Sequence, residues 1–370
     1  MMRQVRFVAC PDYGDALSPA LDRLFREVGW MTPERFAGQR VLLKPNLLTD
    51  RLPEQAVTTH PAFLRQVIRR FKALGAVVSV GDSPASTANL EQVWSKSGIG
   101  AVCREEGVPL IAFEKNGGRA VTCDGFSFSL SEPVLDTDWV VNLPKVKSHA
   151  LTMLTAAVKN MYGAVPGYAK TALHKRYPKP AAFGRLLQVI WKQIPRSVTI
   201  VDGVVGMEGQ GPANGRPIQL GFVAAAEDPY AMDLALCRVL GLNPARVPYL
   251  VGAPVKREEV ELLGDLPTVP SFEVPSGAHL LRLLPEWLVR SAGRLVWVRP
   301  GFDAARCIGC GKCVEACPME ALRIAAEDHR PRLNGPACIG CSCCHEVCPR
   351  GAIEMTQSAI LRMLKVFKGL

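Results

Sequence analysis

Short apolar runs separated by amphipathic stretches recur along the first two thirds of the chain. Strand-like runs stand at 5–9 (VRFVA), 40–44 (RVLLK), 76–83 (AVVSVGDS), 138–144 (DWVVNLP), 197–203 (SVTIVDG) and 218–225 (IQLGFVAA). Between the first three, 16–29 and 61–75 space Leu, Val, Ile and Phe at the three-to-four-residue interval of a helix with one buried face. Apolar strands that do not alternate with polar residues suit a sheet covered on both faces. The pattern predicts an α/β domain over 1–265, a mostly parallel sheet wrapped by helices. Five prolines then break the rhythm, so 266–300 reads as a connecting segment with an amphipathic, basic helix around 280–294. A small α+β domain follows at 301–357, and 358–370 reads as a terminal amphipathic helix. Both helices are expected to pack on the protein, with peripheral membrane contact as the alternative.

In open sheets of this kind ligands bind beyond the carboxyl ends of the strands. Lys44 and Asn46, Asp82 and Ser83, Lys145 and Lys147, and Asp202 all fall there, and become candidates for a site. Ordinary turn and cap roles are the competing reading for each one singly.

Charge sharpens this choice. The net formal charge of +10 is concentrated: no acidic residue lies between Asp138 and Asp202, while ten lysines and arginines do. Few aromatics are interleaved with them and no recognised nucleic-acid module is present, so a small anionic substrate or a redox partner protein ranks ahead of nucleic acid. No run of eighteen apolar residues could span a bilayer, and the amino terminus has no signal-peptide core, so a cytoplasmic protein is expected.

Eight of the thirteen cysteines fall in two runs, CIGCGKCVEACP at 307–318 and CIGCSCCHEVCP at 338–349. Each is C-x2-C-x2-C-x3-C-P, the bacterial ferredoxin spacing, in which the fourth cysteine serves the other cluster. Three cysteines two residues apart let one turn wrap three corners of an iron–sulfur cube, while the fourth, ahead of a proline, faces away. Two [4Fe-4S] clusters are therefore expected, one on Cys307, Cys310, Cys313 and Cys348, the other on Cys338, Cys341, Cys344 and Cys317. Structural zinc sites come as cysteine pairs with a longer spacer, and disulfides suit neither the spacing nor a reducing compartment. Cys343 is an extra thiol, either a substitute ligand or a buried free cysteine, and the second is preferred.

The stretches VLLKPNLL (41–48), TTHPAFL (58–64), GDSP (81–84), VVNLPKVKSHALTMLTAAVKNMYGAVPG (140–167) and IVDGVVGMEGQGP (200–212) resemble the domain of unknown function 362 family. Its members often carry a two-cluster ferredoxin domain at the carboxyl end. The resemblance covers most of 35–350 and implies an iron–sulfur, oxidoreductase-like protein; it supplies neither substrate nor catalytic residues.

The long basic motif carries the remaining expectations. Lys145 and Lys147 leave a strand, Ser148 caps a helix beginning near His149, and Lys159 with Asn160 ends that helix three turns on. With Lys44 and Asn46 these residues form a candidate anion site, since helix starts and lysines both attract anions. A solvated basic face is the alternative. His149 and His60 are candidate proton carriers or structural histidines. A glycine-rich loop at 202–217 would cover a ligand, or bring Asp202 and Glu208 to a divalent metal with Asp82. A flavin or nucleotide is conceivable, but no motif supports one. The expected function is an intracellular iron–sulfur oxidoreductase whose clusters feed electrons to an anionic substrate or cofactor in the α/β domain. A non-enzymatic carrier or scaffold that docks a larger redox partner is the rival.

Overall fold

The computed structural model describes residues 2–85, 88–269, 271–275 and 297–359. A ten-stranded sheet organises the first domain. Its main path runs Val260–Gly264, Arg3–Ala9, Arg216–Ala226, Ser197–Glu208, Trp139–Leu143, Arg40–Pro45, Val77–Asp82, Leu110–Ala112. Most neighbours are parallel; Arg216–Ala226 runs antiparallel to both of its partners. The fold is α/β, as the apolar runs require.

Both faces are covered, and successive residues of one strand serve opposite sides. Val140 belongs to the same apolar cluster as Phe183, Leu186 and Met232, whereas Val141 belongs to the one that holds Leu64, Phe71 and Val80. The second layer includes the two helices anticipated from periodicity, Leu17–Val28 and Pro61–Ala73, each turning Leu, Phe or Ile inward. Burying one such side chain contributes about 1.5–3 kcal/mol.

The basic motif folds differently from expectation. No helix begins at His149. Lys145–His149 is a strand added beside Ser197–Glu208, and it hairpins onto Met153–Thr155 with His149 opposite Met153 and Lys147 opposite Thr155. Only one helical turn follows, Ala157–Asn160, which places Lys159 and Asn160. Burial is the cause: every residue from Trp139 to Val158 is buried, so apolar spacing there carries no facial period. Asp233 stabilises the short turn by accepting the Ala157 and Val158 amides at 2.7 and 2.9 Å, and burial holds its own pKa up at about 7.

The supposed glycine-rich loop is also shorter than expected, because Asp202 and Glu208 lie within the long strand Ser197–Glu208. The helix expected around 280–294 lies outside the described residues, as do residues 360–370 of the terminal helix.

The second domain is small. Val298–Phe302 pairs with Ile353–Gln357, and Leu322–Ile324 with Pro331–Leu333. The two cysteine runs adopt matching turns: Gly309 and Gly340 have φ of 66° and 67°, Gly311 and Ser342 of 77° and 68°, and each run ends in a one-turn helix, Lys312–Glu315 or Cys343–Glu346. The amino-terminal domain grips the second of these. Arg51 donates to the carbonyls of Cys348 and Pro349, both at 2.7 Å, and Asn214 donates to the carbonyl of His345 at 2.7 Å.

Candidate functional site

The eight cysteines gather in crossed sets. One small cavity is walled by Cys307, Cys310, Cys313 and Cys348, a second by Cys317, Cys338, Cys341 and Cys344. Apolar residues fill the gaps between the thiols, Ile308, Ile324 and Ile353 in the first, Leu322, Leu333 and Ile339 in the second. The Ala352 amide donates to Cys348 Sγ at 3.2 Å and the Ala321 amide to Cys317 Sγ at 3.3 Å, contacts that favour thiolate. Burial, followed by the charges of neighbouring cysteines, pushes the Cys313 thiol up to about 11 and the Cys344 thiol well up. A bound metal cluster removes that penalty. Among the described residues, no three His, Cys, Asp or Glu side chains converge as a single ion would require, with metal–sulfur bonds of about 2.3 Å. Thiols spread round a cavity suit a bulkier cube. Cys343 belongs to neither wall.

Two of the expected anion-site lysines are engaged elsewhere. Lys44 pairs with Asp82 at 2.7 Å and Lys145 with Asp202 at 2.9 Å, all four side chains buried. Burial pulls both ammonium groups down and the carboxylates pull them back. Asp202 also accepts the Tyr13 hydroxyl at 2.7 Å and the His60 amide at 2.9 Å, and the His60 ring stacks on Tyr13. His60 is thus part of a closed structural network. The suggested metal site on Asp82, Asp202 and Glu208 does not assemble, since Glu208 pairs with Arg216 and each aspartate has its own lysine.

The other candidates converge on a third cavity, of about 90 Å³, between the two domains. Asn46, Lys147, His149, Lys159 and Asn160 line it, joined by Ser83, Thr155, Lys170 and His174, and by Cys343 and Glu346 from the second domain. Asn46 organises one wall: its Oδ1 accepts Lys147 Nζ at 2.6 Å and its Nδ2 donates to Asn160 Oδ1 at 2.9 Å. Lys147 also donates to the Val57 carbonyl at 2.7 Å; burial, then the positive charge of Lys159, lowers it to about 7. Lys170 is held by the carbonyls of Ser83 and Pro84. Lys159 lies over the rings of Tyr162 and Phe183 and makes no hydrogen bond or ion pair among the described residues. Gly163 leaves the floor open, because a Cβ there would stand 2.2 Å from Asp82 Oδ1 and 2.5 Å from Lys44 Nζ.

His149 Nδ1 accepts the Leu151 and Thr152 amides at 3.0 and 3.3 Å, so its proton sits on Nε2. That nitrogen lies 3.3 Å from Glu346 Oε1, but too poorly aligned for a proper hydrogen bond. Burial, then the Lys159 charge, depresses His149 to about 3 and keeps the ring neutral. Burial would raise the Glu346 carboxyl, but the adjoining His149 Nε2–H and the Lys159 charge hold it low. Five side chains in this wall leave a buried polar atom without a partner: Ser83 Oγ, His149 Nε2, Thr155 Oγ1, His174 Nδ1 and Glu346 Oε1. Buried polar groups are normally satisfied, so such a concentration marks a place where something polar binds.

Sequence reasoning missed Lys170, His174, Glu346 and the position of Cys343. One available indication was overlooked: Lys145, Lys147 and His149 recur at every second residue, the period of a strand presenting one face.

The domain of unknown function DUF362 matches residues 41–238, just over half of the chain. The chain belongs to the DUF362 family. In this DUF362 protein, residues 301–355 match a 4Fe-4S dicluster domain, which makes it an iron–sulfur protein with an electron-transfer module. It is 34% identical over 280 residues to the thylakoid-associated protein sll1697 of Synechocystis sp., covering 74% of this chain and 84% of that one. Among solved structures, the lactate racemase apoprotein of Thermoanaerobacterium thermosaccharolyticum matches 62% of this chain and 55% of its own, at a TM-score of 0.40 and 12% identity. A structural-genomics protein of Thermotoga maritima matches 60% of this chain and 56% of its own, at 0.38 and 13%. This chain thus spans little more than half the length of either. No helix among the described residues is long and apolar enough to cross a membrane.

Proposed function

We propose that the protein is an oxidoreductase in which two [4Fe-4S] clusters, on the two crossed cysteine sets, pass electrons to an anionic substrate in the interdomain cavity. The observation that carries this reading is the shared wall. Cys343 stands between the cluster ligands Cys341 and Cys344 in sequence, and Ala316 precedes Cys317; both line the cavity with Lys147, Lys159 and His149. Val347, which precedes Cys348 of the other set, lines it too, so residues beside both cysteine sets border the cavity.

When bound, the clusters would supply electrons singly. The chain's own residues do the rest. Lys147 and Lys159 draw the anion in, Asn46 and Asn160 hold Lys147 and the short helical turn in place, and the neutral His149 offers its Nε2–H as a hydrogen-bond donor. Cys343 remains a thiol in the wall.

The test uses anaerobically prepared protein carrying about eight irons per chain. After reduction, reoxidation of the clusters is followed spectroscopically against a panel of small anionic oxidants. Reoxidation by one class, slowed in His149→Gln, supports the oxidoreductase. Reoxidation only by a partner protein supports the carrier reading instead. Zinc in place of iron, or far fewer irons, overturns both.

A further inference from the structure

The protein treats the lysines around these strands in two ways: Lys44, Lys145 and Lys147 are fully buried, Lys159 and Lys170 partly so. Lys44 and Lys145 each have a carboxylate within 2.9 Å. The three lysines of the interdomain cavity do not: Lys147 and Lys170 are held only by neutral oxygens, and Lys159 by aromatic faces. The wall holds two carboxylates, Asp82 and Glu346, and Asp82 is already neutralised by Lys44 behind it. Counting the wall's own side chains, three lysines thus share one carboxylate that has no lysine of its own, an excess of positive charge.

The donor count agrees with the charge. Lys147 and Lys170 each spend two protons on protein oxygens and keep one, while Lys159 keeps all three. Ser83 Oγ, Thr155 Oγ1 and His149 Nε2 add unused buried donors. Of the wall's five unpartnered buried atoms, one, Glu346 Oε1, can only accept. An isolated buried charge is costly, and a wall this rich in donors is satisfied by a ligand made mostly of acceptors. At about 90 Å³ the space equals roughly six waters at about 15 Å³ each, so the ligand is small.

We propose that the interdomain cavity binds a small dianion through Lys147, Lys159 and Lys170, with Ser83, Thr155 and His149 as neutral donors. This rests on the cavity being the ligand site of the oxidoreductase reading, and narrows its substrate class to a doubly charged oxyanion or dicarboxylate. The two share the same recognition chemistry, and only the shape of the ligand separates them.

Calorimetric titration of the full, cluster-loaded chain at constant ionic strength tests the proposal, with phosphate and sulfate in one arm, oxalate and succinate in another, and acetate and chloride as monoanion controls. Saturable one-to-one binding in one dianion arm, with a Kd at or below about 1 mM, is expected, and monoanions should bind about tenfold more weakly or worse. Lys159→Met, at unchanged iron content, should lose about tenfold in affinity. Ser83→Ala, a milder change, should lose a few-fold. Acetate or chloride binding as tightly as the dianions overturns the proposal, as does the absence of any dianion binding by the unaltered protein, or undiminished affinity in an iron-replete Lys159→Met. Dianion binding that leaves the spectrum of the reduced clusters unchanged would overturn the coupling of cavity and cluster on which electron delivery depends, and leave the dianion site standing. Reoxidation by an uncharged compound that competes with no dianion would do the reverse.

Discussion

Lys145 and Lys147 stand two residues apart on one strand, both fully buried, and their surroundings are opposite. Lys145 meets Asp202 and Tyr13 in a closed network; Lys147 meets the neutral oxygens of Asn46 and Val57 and opens onto a cavity. The first arrangement holds the sheet together. The second leaves a charge for something the chain does not itself contain. A buried lysine therefore indicates ligand binding only when its counter-charge is missing, and that depends on which strand lies alongside.

The largest expected effect breaks the closed half of this pair. Asp202→Ala strands Lys145 without a counter-ion and removes the acceptor of Tyr13 and of the His60 amide, at a cost of about 3–5 kcal/mol in denaturant unfolding. Lys147→Met should cost less, about 1–3 kcal/mol, because it leaves neutral acceptors unpaired and no stranded charge. Equal losses would remove the distinction. Gly163→Ala attacks the open half: its Cβ meets the Lys44–Asp82 pair, so about 1–3 kcal/mol of stability should go together with ligand binding in the titration.

Arg51→Ala should cost about 1–2 kcal/mol, detected as faster amide exchange across 343–349. Iron content should hold, while any ligand-induced change in the cluster spectrum weakens as the second domain loosens from the cavity. The smallest effect is one of pH. Lys147, facing Lys145, Lys159, Asp82 and Glu346, sits near 7 and Lys170 near 8. Both are bases and lose charge as pH rises, about fivefold for Lys147 and about twofold for Lys170, so anion affinity should fall by about tenfold, about 1.4 kcal/mol, between pH 7 and pH 8. Lys147→Arg keeps its charge and should flatten the lower part of that decline.

How much could be read in advance varied with the kind of pattern. The helices over Leu17–Val28 and Pro61–Ala73 are half-buried, so their apolar faces repeat every three to four residues and were legible. The basic motif is buried on all sides, and its apolar spacing predicted a helix where a hairpin stands. The two crossed cysteine sets expected from the ferredoxin spacing wall separate cavities. Five of the anion-site candidates, Asn46, Lys147, His149, Lys159 and Asn160, do share one cavity; Lys44 and Lys145 do not, because Asp82 and Asp202 reach them first.

Local and periodic features were determined by the amino-acid order itself: the α/β alternation, the ferredoxin turns, and the concentration of positive charge between Asp138 and Asp202. Which charges stay uncompensated was decided only in three dimensions. Asp82 and Lys44 lie 38 residues apart, Asp202 and Lys145 57 apart, and Glu346 reaches His149 across almost two hundred. Spacing along a chain sets what a turn can hold, whereas pairing in a buried interior depends on which strands and domains pack side by side.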